Sequence, residues 1–556
     1  MKYQSIIDQM TLEEKVALCS GADAFSTKAF EKYGIPSVWM ADGPHGLRKQ
    51  VEVADYLGIN NSLPATCFPT ASLSACSWDR DLLREMGAAI GEEALQEGVS
   101  IVLGPGANIK RNPLCGRNFE YFSEDPFLAG EMAASWIEGI QSQGIGASLK
   151  HFAANNQETE RMSSDSMVDE RALREIYLPA FERAVRQAKP ATVMCAYNKL
   201  NGVYCSDNRT LLRDILRDEW GFGGVVVTDW GAMNDRVKAF EAGTDLEMPG
   251  SNGCLDEEVI EAVRGRALSE MRINESVDRL LDLIFQAAAK RKPNYRYNPE
   301  QHHLLAKKIA AQSAVLLKNE SNILPIREGQ KIALIGALAA EPRYQGTGSS
   351  HIHPTRLSSP VEGFKEVGFD FSYYPGYALK GATDPVLLGE AAAGAQGCDV
   401  AVIFAGLPDA YESEGFDREN LAMPASHNAL IERVAAANPN TVVVLVGGAP
   451  VEMPWLPNVK AVLNLYLAGQ AGGLAAAELL AGITNPCGKL AETYPLRVVG
   501  SGPIERGQMV QSPSNGPNQT SATPAGSTGT PFPGTRRSTI LAGPWRRLKR
   551  ISQPQV

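Results

Sequence analysis

Gly224-Val225-Val226-Val227-Thr228-Asp229-Trp230-Gly231 decides the reading of this chain. Three consecutive valines form a short apolar run suited to a strand covered on both faces, as in a parallel sheet. The run stops at a carboxylate, an indole and a glycine. At the carboxyl end of such a strand an Asp points into the mouth of a barrel or open α/β sheet, where ligands bind. A carboxylate beside a flat aromatic ring suits a sugar, whose apolar face can lie on the indole while the acid meets the anomeric carbon. The plainer alternative is that Asp229 caps the next helix, since Asp is a favoured N-cap.

On either side of this stretch, short β runs at 37–40, 100–103, 147–150, 192–195, 225–228 and 245–248 alternate with amphipathic helices. Residues 80–97 put Leu82, Leu83, Met86, Ile90 and Ala94 on one face, behind Ser77 or Asp79 as cap. Residues 170–188 repeat the pattern with an expected kink at Pro179, and a third helix follows Asn274. Alternation over about 250 residues predicts an α/β fold that opens with a (β/α)8-type, TIM-like barrel over residues 1–290.

Strand ends carry the reactive groups. DGPHGLR (42–48) follows the first strand, and a loop holding CGRNFE (115–120) follows the second. KHFAANN (150–156), MCAYN (194–198) and DWG (229–231) follow the next three. A barrel gathers strand ends around one mouth, and helix capping would have to coincide five times over to imitate that. The repetition favours a site over a cap.

Residues 291–310 form the connection, with two prolines and no apolar periodicity over 291–300. A second, smaller α/β sandwich of the doubly wound kind is expected over 311–497, with strands at 331–335, 399–405, 441–446 and 461–465 and a helix at 426–437. GTGSS at 346–350 has neither a GxGxxG nor a Walker lysine, so no nucleotide site is expected there. From 498 to 556 the sequence is Ser-, Pro-, Gly- and Thr-rich and ends in basic clusters, the composition of a disordered tail.

Bulk properties agree with a globular chain. Its 556 residues exceed one core. A net charge of −10 and a pI near 5.4 argue against a nucleic-acid partner. No apolar run approaches the ~20 residues of a membrane span, and the N-terminus shows no signal core. Nine scattered cysteines make neither a disulfide framework nor a CxxC pair, which predicts a reduced, cytoplasmic protein. Seven histidines show no metal-ligand spacing, and His302-His303 are expected on a helix surface. No metal or cofactor is expected, and a homo-oligomer is left open.

Glycoside cleavage needs two carboxyl groups flanking one bond, roughly 5 to 5.5 Å apart in a retaining enzyme. Asp229 is the candidate nucleophile, kept ionised by cations such as Lys150 and Arg117. Asp42, close to Arg48, suits gripping sugar hydroxyls. The barrel motifs offer no obvious second free carboxylate. DAYESEGFDR at 409–418 follows a second-domain strand and could be a solvated acidic loop. Set over a mouth that lacks an acid, its Glu414 becomes the natural proton donor. That role calls for a raised pKa, expected from burial and nearby negative charge.

These motifs carry a resemblance. DGPHGLR (42–48), GPGANIK (104–110), CGRNFE (115–120), KHFAANN (150–156), CAYNKLNG (195–202), TDWG (228–231) and ESEGFDR (412–418) stand in the order found in glycoside hydrolase family 3, bacterial β-glucosidase branch. The resemblance runs from the N-terminus to Leu496. It implies a retaining, exo-acting β-glucosidase that releases terminal non-reducing β-D-glucosyl residues from β-glucosides or short β-linked gluco-oligosaccharides. Asp229 matches the family nucleophile and Glu414 its acid/base. Asp42, Arg48, Arg117, Lys150, His151, Met194, Tyr197 and Trp230 match its sugar-binding groups, and a serine of the 346–350 loop is expected towards the acceptor side. The alternatives are a β-xylosidase or broad aryl-β-glycosidase, or an inactive sugar-binding fragment. Relatives that take their acid from a barrel His–Asp loop fit poorly, because Ala153-Ala154-Asn155-Asn156 stands there. The branch continues into a fibronectin type III-like domain that the 498–556 tail does not resemble, so the tail reads as a truncation or an out-of-frame product.

Overall fold

The computed structural model describes residues 1–50, 61–380 and 382–495. The expected 498–556 tail lies outside the described residues. Five parallel strands hydrogen-bond side by side in chain order: Met40–Asp42, Ile101–Leu103, Gly146–Phe152, Thr192–Cys195 and Val225–Thr228. Every residue of Val225–Thr228 is buried, so the run has no polar face to alternate with. The sheet curves on through single parallel bridges from Val227 to Leu246 and from Glu247 to Ser20, giving a TIM-barrel-like body. Residues 245–248 make bridges and not a full strand. The Thr228 hydroxyl donates to the Met248 carbonyl at 3.1 Å and accepts from the Met248 N–H at 2.8 Å, taking bonds a ladder would use.

The expected helices form with small shifts. Asp79, not Ser77, caps Arg80–Gln96, accepting from the N–H groups of Asp81 and Leu82. Around Pro179 the helix is interrupted: a π-turn over Leu173–Tyr177 precedes Pro179–Ala188, because proline has no N–H to give to the preceding turn. The third helix, Glu270–Lys290, starts before Asn274 since Ile273 already lies on its buried face.

Asn298 caps a helix over Pro299–Ser313, which takes up the whole latter half of the 291–310 connection. This corrects the placement of its histidines. His302 and His303 are both buried, because the helix lies between the two units and not on the outside. His302 Nδ1 is 2.7 Å from Glu93 Oε1 and Nε2 is 3.1 Å from Glu92 Oε2, both on Arg80–Gln96.

The second unit holds a six-stranded sheet in the order Asp370–Tyr374, Lys331–Ile335, Val400–Gly406, Thr441–Val446, Ala461–Asn464 and Val315–Asn319. Only the last strand is antiparallel. The two strands absent from the sequence reading are the edges. Asp370–Tyr374 is half-exposed, with Asp370 and Ser372 facing solvent between partly buried aromatics, and Val315–Asn319 starts directly from the preceding helix with no turn residue. A polar cap followed by proline opens helices at Asn298-Pro299, Ser359-Pro360 and Asp384-Pro385, with proline supplying the preset φ of the first turn.

Candidate active site

The carboxyl ends of the barrel strands converge. Asp42 ends the first strand, Lys150 and His151 lie in the third, Met194 in the fourth, and Asp229 directly follows the fifth. Lys150 Nζ is 3.7 Å from Asp42 Oδ1, and Arg48 Nη1 is 3.9 Å from Asp42 Oδ2. His151 Nε2 faces Asp229 Oδ2 at 3.7 Å. The Trp230 N–H donates to Asp229 Oδ1 at 2.8 Å, while Oδ2 is buried without a hydrogen-bond partner among the described residues. Trp230 is held as a plate: its indole N–H donates to the Ala24 carbonyl at 2.7 Å, Phe25 packs on it, and the Tyr197 hydroxyl donates to the Trp230 carbonyl. Met194 is buried in an apolar cluster with Val225 and Val227.

Glu414 arrives from the second unit. Its side chain is only 6% exposed, with Oε1 2.9 Å from Arg161 Nη1 and 3.7 Å from Arg117 Nη1. Its Oε2 accepts from the Ser349 N–H at 2.7 Å. Arg48 donates to the Ser349 carbonyl at 3.1 Å, so the 346–350 loop bridges the two sides through its backbone. Gly348 has φ +111°, and a Cβ there would sit 2.4 Å from Glu414 Cβ; the loop closes on Glu414 only because that residue is glycine.

Charge balance in the mouth departs from expectation at both carboxylates. Burial pushes Asp229 above the ordinary Asp range, even though Arg117, Arg161 and Lys150 pull it back. The cations therefore limit the rise without reversing it. For Glu414, burial also works upward, but Arg117, Arg161 and the Ser349 hydrogen bonds outweigh it and hold the carboxyl well below the usual range. The expected raised pKa at Glu414 is thus not found in this arrangement, because two guanidiniums face it. Asp42 is pushed up to about 6 by burial, against Lys150 and Arg48. His151 is held well below its usual value by burial and by Arg117, Lys150 and Arg161, so its imidazole is neutral near pH 7.

The Glycosyl hydrolase family 3 N terminal domain matches residues 6–283, and the Glycosyl hydrolase family 3 C-terminal domain matches residues 314–527. The chain belongs to glycosyl hydrolase family 3. It is 58% identical over 499 residues to thermostable beta-glucosidase B of Acetivibrio thermocellus, covering 89% of this chain and 66% of that protein. It is 48% identical over 509 residues to an exo-alpha-(1->6)-L-arabinopyranosidase of Bifidobacterium longum, covering 89% of this chain and 67% of that one. The crystal structure of a Bifidobacterium adolescentis family 3 beta-glucosidase superposes with a TM-score of 0.84 at 46% identity, over 88% of this chain and 71% of that chain. The chain thus spans about two thirds of the length of the curated relatives it matches.

In this family 3 chain the sequence reading missed Arg161 and Glu158. Arg161 Nη1 lies 2.7 Å from Glu158 Oε2 as well as 2.9 Å from Glu414, and its guanidinium sits 4.8 Å from the Tyr197 ring centre. Glu158 is buried and its carboxyl is pushed up to about 7, burial outweighing Arg117 and Arg161. Both lie beyond Lys150, where no periodicity marks them; the available signal was a glutamate three residues before an arginine, just past KHFAANN. Support around His151 was also unread. Its Nδ1 is 3.2 Å from the Tyr121 hydroxyl, and its backbone N–H and C=O are both bonded by Asn108. Among the described residues no three potential metal ligands cluster. A cavity of about 650 Å³ at the opposite end of the barrel, lined by Ala191, Gly224 and Lys290, is remote from these groups.

Proposed function

We propose that this chain is a retaining, exo-acting β-glucosidase hydrolysing terminal non-reducing β-D-glucosyl residues, with Asp229 as nucleophile and Glu414 as acid/base, within the barrel over 1–290 and the sandwich over 311–497 respectively. One observation carries the reading: a carboxylate from the second unit is buried among the same cations, Arg117 and Arg161, that act on Asp229. Asp229 attacks the anomeric carbon while Glu414 protonates the leaving oxygen; Glu414 then deprotonates the water that releases the sugar with retained configuration.

The cations that lower the Glu414 pKa keep it ionised, the form in which the second step begins, and at the same time weaken it as a base. For the first step Arg161 has to leave Glu414, and Glu158 already holds the same guanidinium. Asp42, Lys150, Arg48 and Arg117 grip hydroxyls, and Trp230 carries the apolar face of the ring. Neutral His151, whose Nδ1 engages Tyr121, presents Nε2 to the sugar and to Asp229. Met194 forms apolar floor and Tyr197 backs Trp230.

Identity to the arabinopyranosidase supports a second reading of specificity, a pyranoside without a C6 hydroxymethyl group. Nitrophenyl β-D-glucoside, β-D-xyloside and α-L-arabinopyranoside assayed together decide. The expected result is a kcat/KM for the glucoside at least about 10-fold above both others, the worth of one hydroxymethyl contact. A pentoside preference would transfer the assignment to the second reading, and turnover of none would contradict both.

A further inference from the structure

The loop that carries Glu414 is anchored twice. On its own side Glu412 is buried, with Oε1 accepting from Arg343 Nη1 at 2.5 Å and from the Gly448 N–H. Across the interface the anchor is Asp417. Its Oδ1 accepts from the N–H groups of Gly116 and Glu158, each at 3.0 Å. Its Oδ2 accepts from Glu158 at 3.0 Å and Thr159 at 2.9 Å. Two flanking bonds complete the seam: the Gly415 N–H donates to Glu158 Oε2 at 2.9 Å, and the Arg418 N–H donates to the Leu114 carbonyl at 2.8 Å. Contact is so close that a Cβ on Gly116 would lie 1.8 Å from the Phe416 carbonyl oxygen.

The positions of those three N–H groups matter. Gly116 immediately precedes Arg117, and Glu158 and Thr159 lie just before Arg161. One carboxylate, three residues beyond Glu414, therefore ties together the two barrel turns whose guanidiniums face Glu414. A carboxylate accepting several backbone N–H groups makes strong, directional bonds, and an amide in its place would set an NH2 against an N–H.

We propose that Asp417 is a positioning residue, clamping the Glu414 loop to the Gly116 and Glu158–Thr159 turns and so fixing the Glu414 carboxylate against Arg117 and Arg161. This inference rests on the reading of Glu414 as acid/base. Asp417 acts chiefly on proton transfer: of the proposed sugar-binding groups only Arg117 adjoins a residue it bonds, and Asp42, Lys150, Trp230 and Asp229 have no bond to it. Its loss thus penalises substrates in proportion to their need for a proton.

The test uses the full chain and a series of aryl and alkyl β-glucosides of rising leaving-group pKa, with Asp417→Asn, Asp417→Ala, Glu414→Ala and the double variant. For the alkyl glucoside, kcat/KM of Asp417→Ala is expected to fall about 100-fold, the scale of a misplaced catalytic group. Dinitrophenyl glucoside should lose less than about 5-fold, since it needs no acid to depart. Asp417→Asn, which keeps one acceptor oxygen, should fall between, and Asp417→Ala should cost nothing further once Glu414 is alanine. Equal losses across the series, wild-type rates throughout, or a full loss persisting in the Glu414→Ala background would overturn the proposal. If Glu414→Ala itself shows no dependence on leaving group, the acid/base reading fails and this inference with it. If Glu414→Ala shows the dependence and the Asp417 variants do not, only the positioning role is lost. Asp417→Asn keeps the shape of the side chain and serves if the alanine variant does not fold.

Discussion

At the scale of single residues, Glu414 poses the sharpest question. An acid that must hold a proton sits between two guanidiniums that favour its charged form. The consequence is measurable. Glu414→Ala should lower kcat/KM for a poor leaving group by about 10² to 10⁴-fold, the usual worth of general acid catalysis. Activity on a dinitrophenyl glucoside should survive, and added azide should recover part of the loss. A uniform loss with no azide effect would place the proton donor elsewhere, Glu158 being the nearest alternative. The residues that sequence made legible are those at strand ends, because a barrel's topology alone brings Asp42, Lys150, His151 and Asp229 to one mouth. Arg161 and Glu158 were not legible, since their place depends on an irregular turn closed by a residue more than 250 positions away.

At the scale of elements, strands and helices were read well where burial leaves an uninterrupted pattern, as in Val225–Thr228 and Arg80–Gln96. Reading failed where a partner supplies the order. His302 looks like a surface residue on its helix until Arg80–Gln96 packs beside it and offers Glu92 and Glu93. Burial works to lower the His302 pKa, but the bonds to Glu93 and Glu92 outweigh it and raise it. A folded pKa above the unfolded value gives stability that is fully present below the unfolded pKa and is lost as pH rises through the folded one. His302→Gln should therefore destabilise the protein on the order of 1 kcal/mol near pH 6, the scale of a hydrogen bond to a charged group, and much less near pH 9. Urea unfolding at the two pH values checks this, and a loss that grows with pH would contradict it.

At the scale of the whole molecule, the barrel and the sandwich are sewn together by more than the Pro299–Ser313 helix. The segment after Gly472–Ala481, the last helix among the described residues, returns to the barrel, where the Ser123 hydroxyl and the Glu124 N–H both donate to the Ala491 carbonyl. Beside them Lys110 and Glu492 form a buried pair at 2.7 Å, with side chains 1% and 3% exposed. Removing one partner strands a charge away from water. Glu492→Gln should cost about 3 to 5 kcal/mol in global unfolding, seen in denaturant midpoint with the slope unchanged; a change under about 1 kcal/mol would show that water reaches the pair. The two-unit plan was legible from the break in periodicity near 291–300. The strap was not, because its residues carry no pattern of their own and matter only where they dock.

In the proposed mechanism Asp229, at the end of a buried barrel strand, forms the covalent bond to the sugar. Incubation with a 2-deoxy-2-fluoro-β-glucoside bearing a good leaving group, followed by mass spectrometry of the digested protein, tests it most directly. Time-dependent inactivation is expected, with one fluoroglucosyl group on the peptide carrying Asp229. A label on Glu158, Asp42 or Glu414, or turnover of the glucoside with no covalent adduct at all, would contradict it.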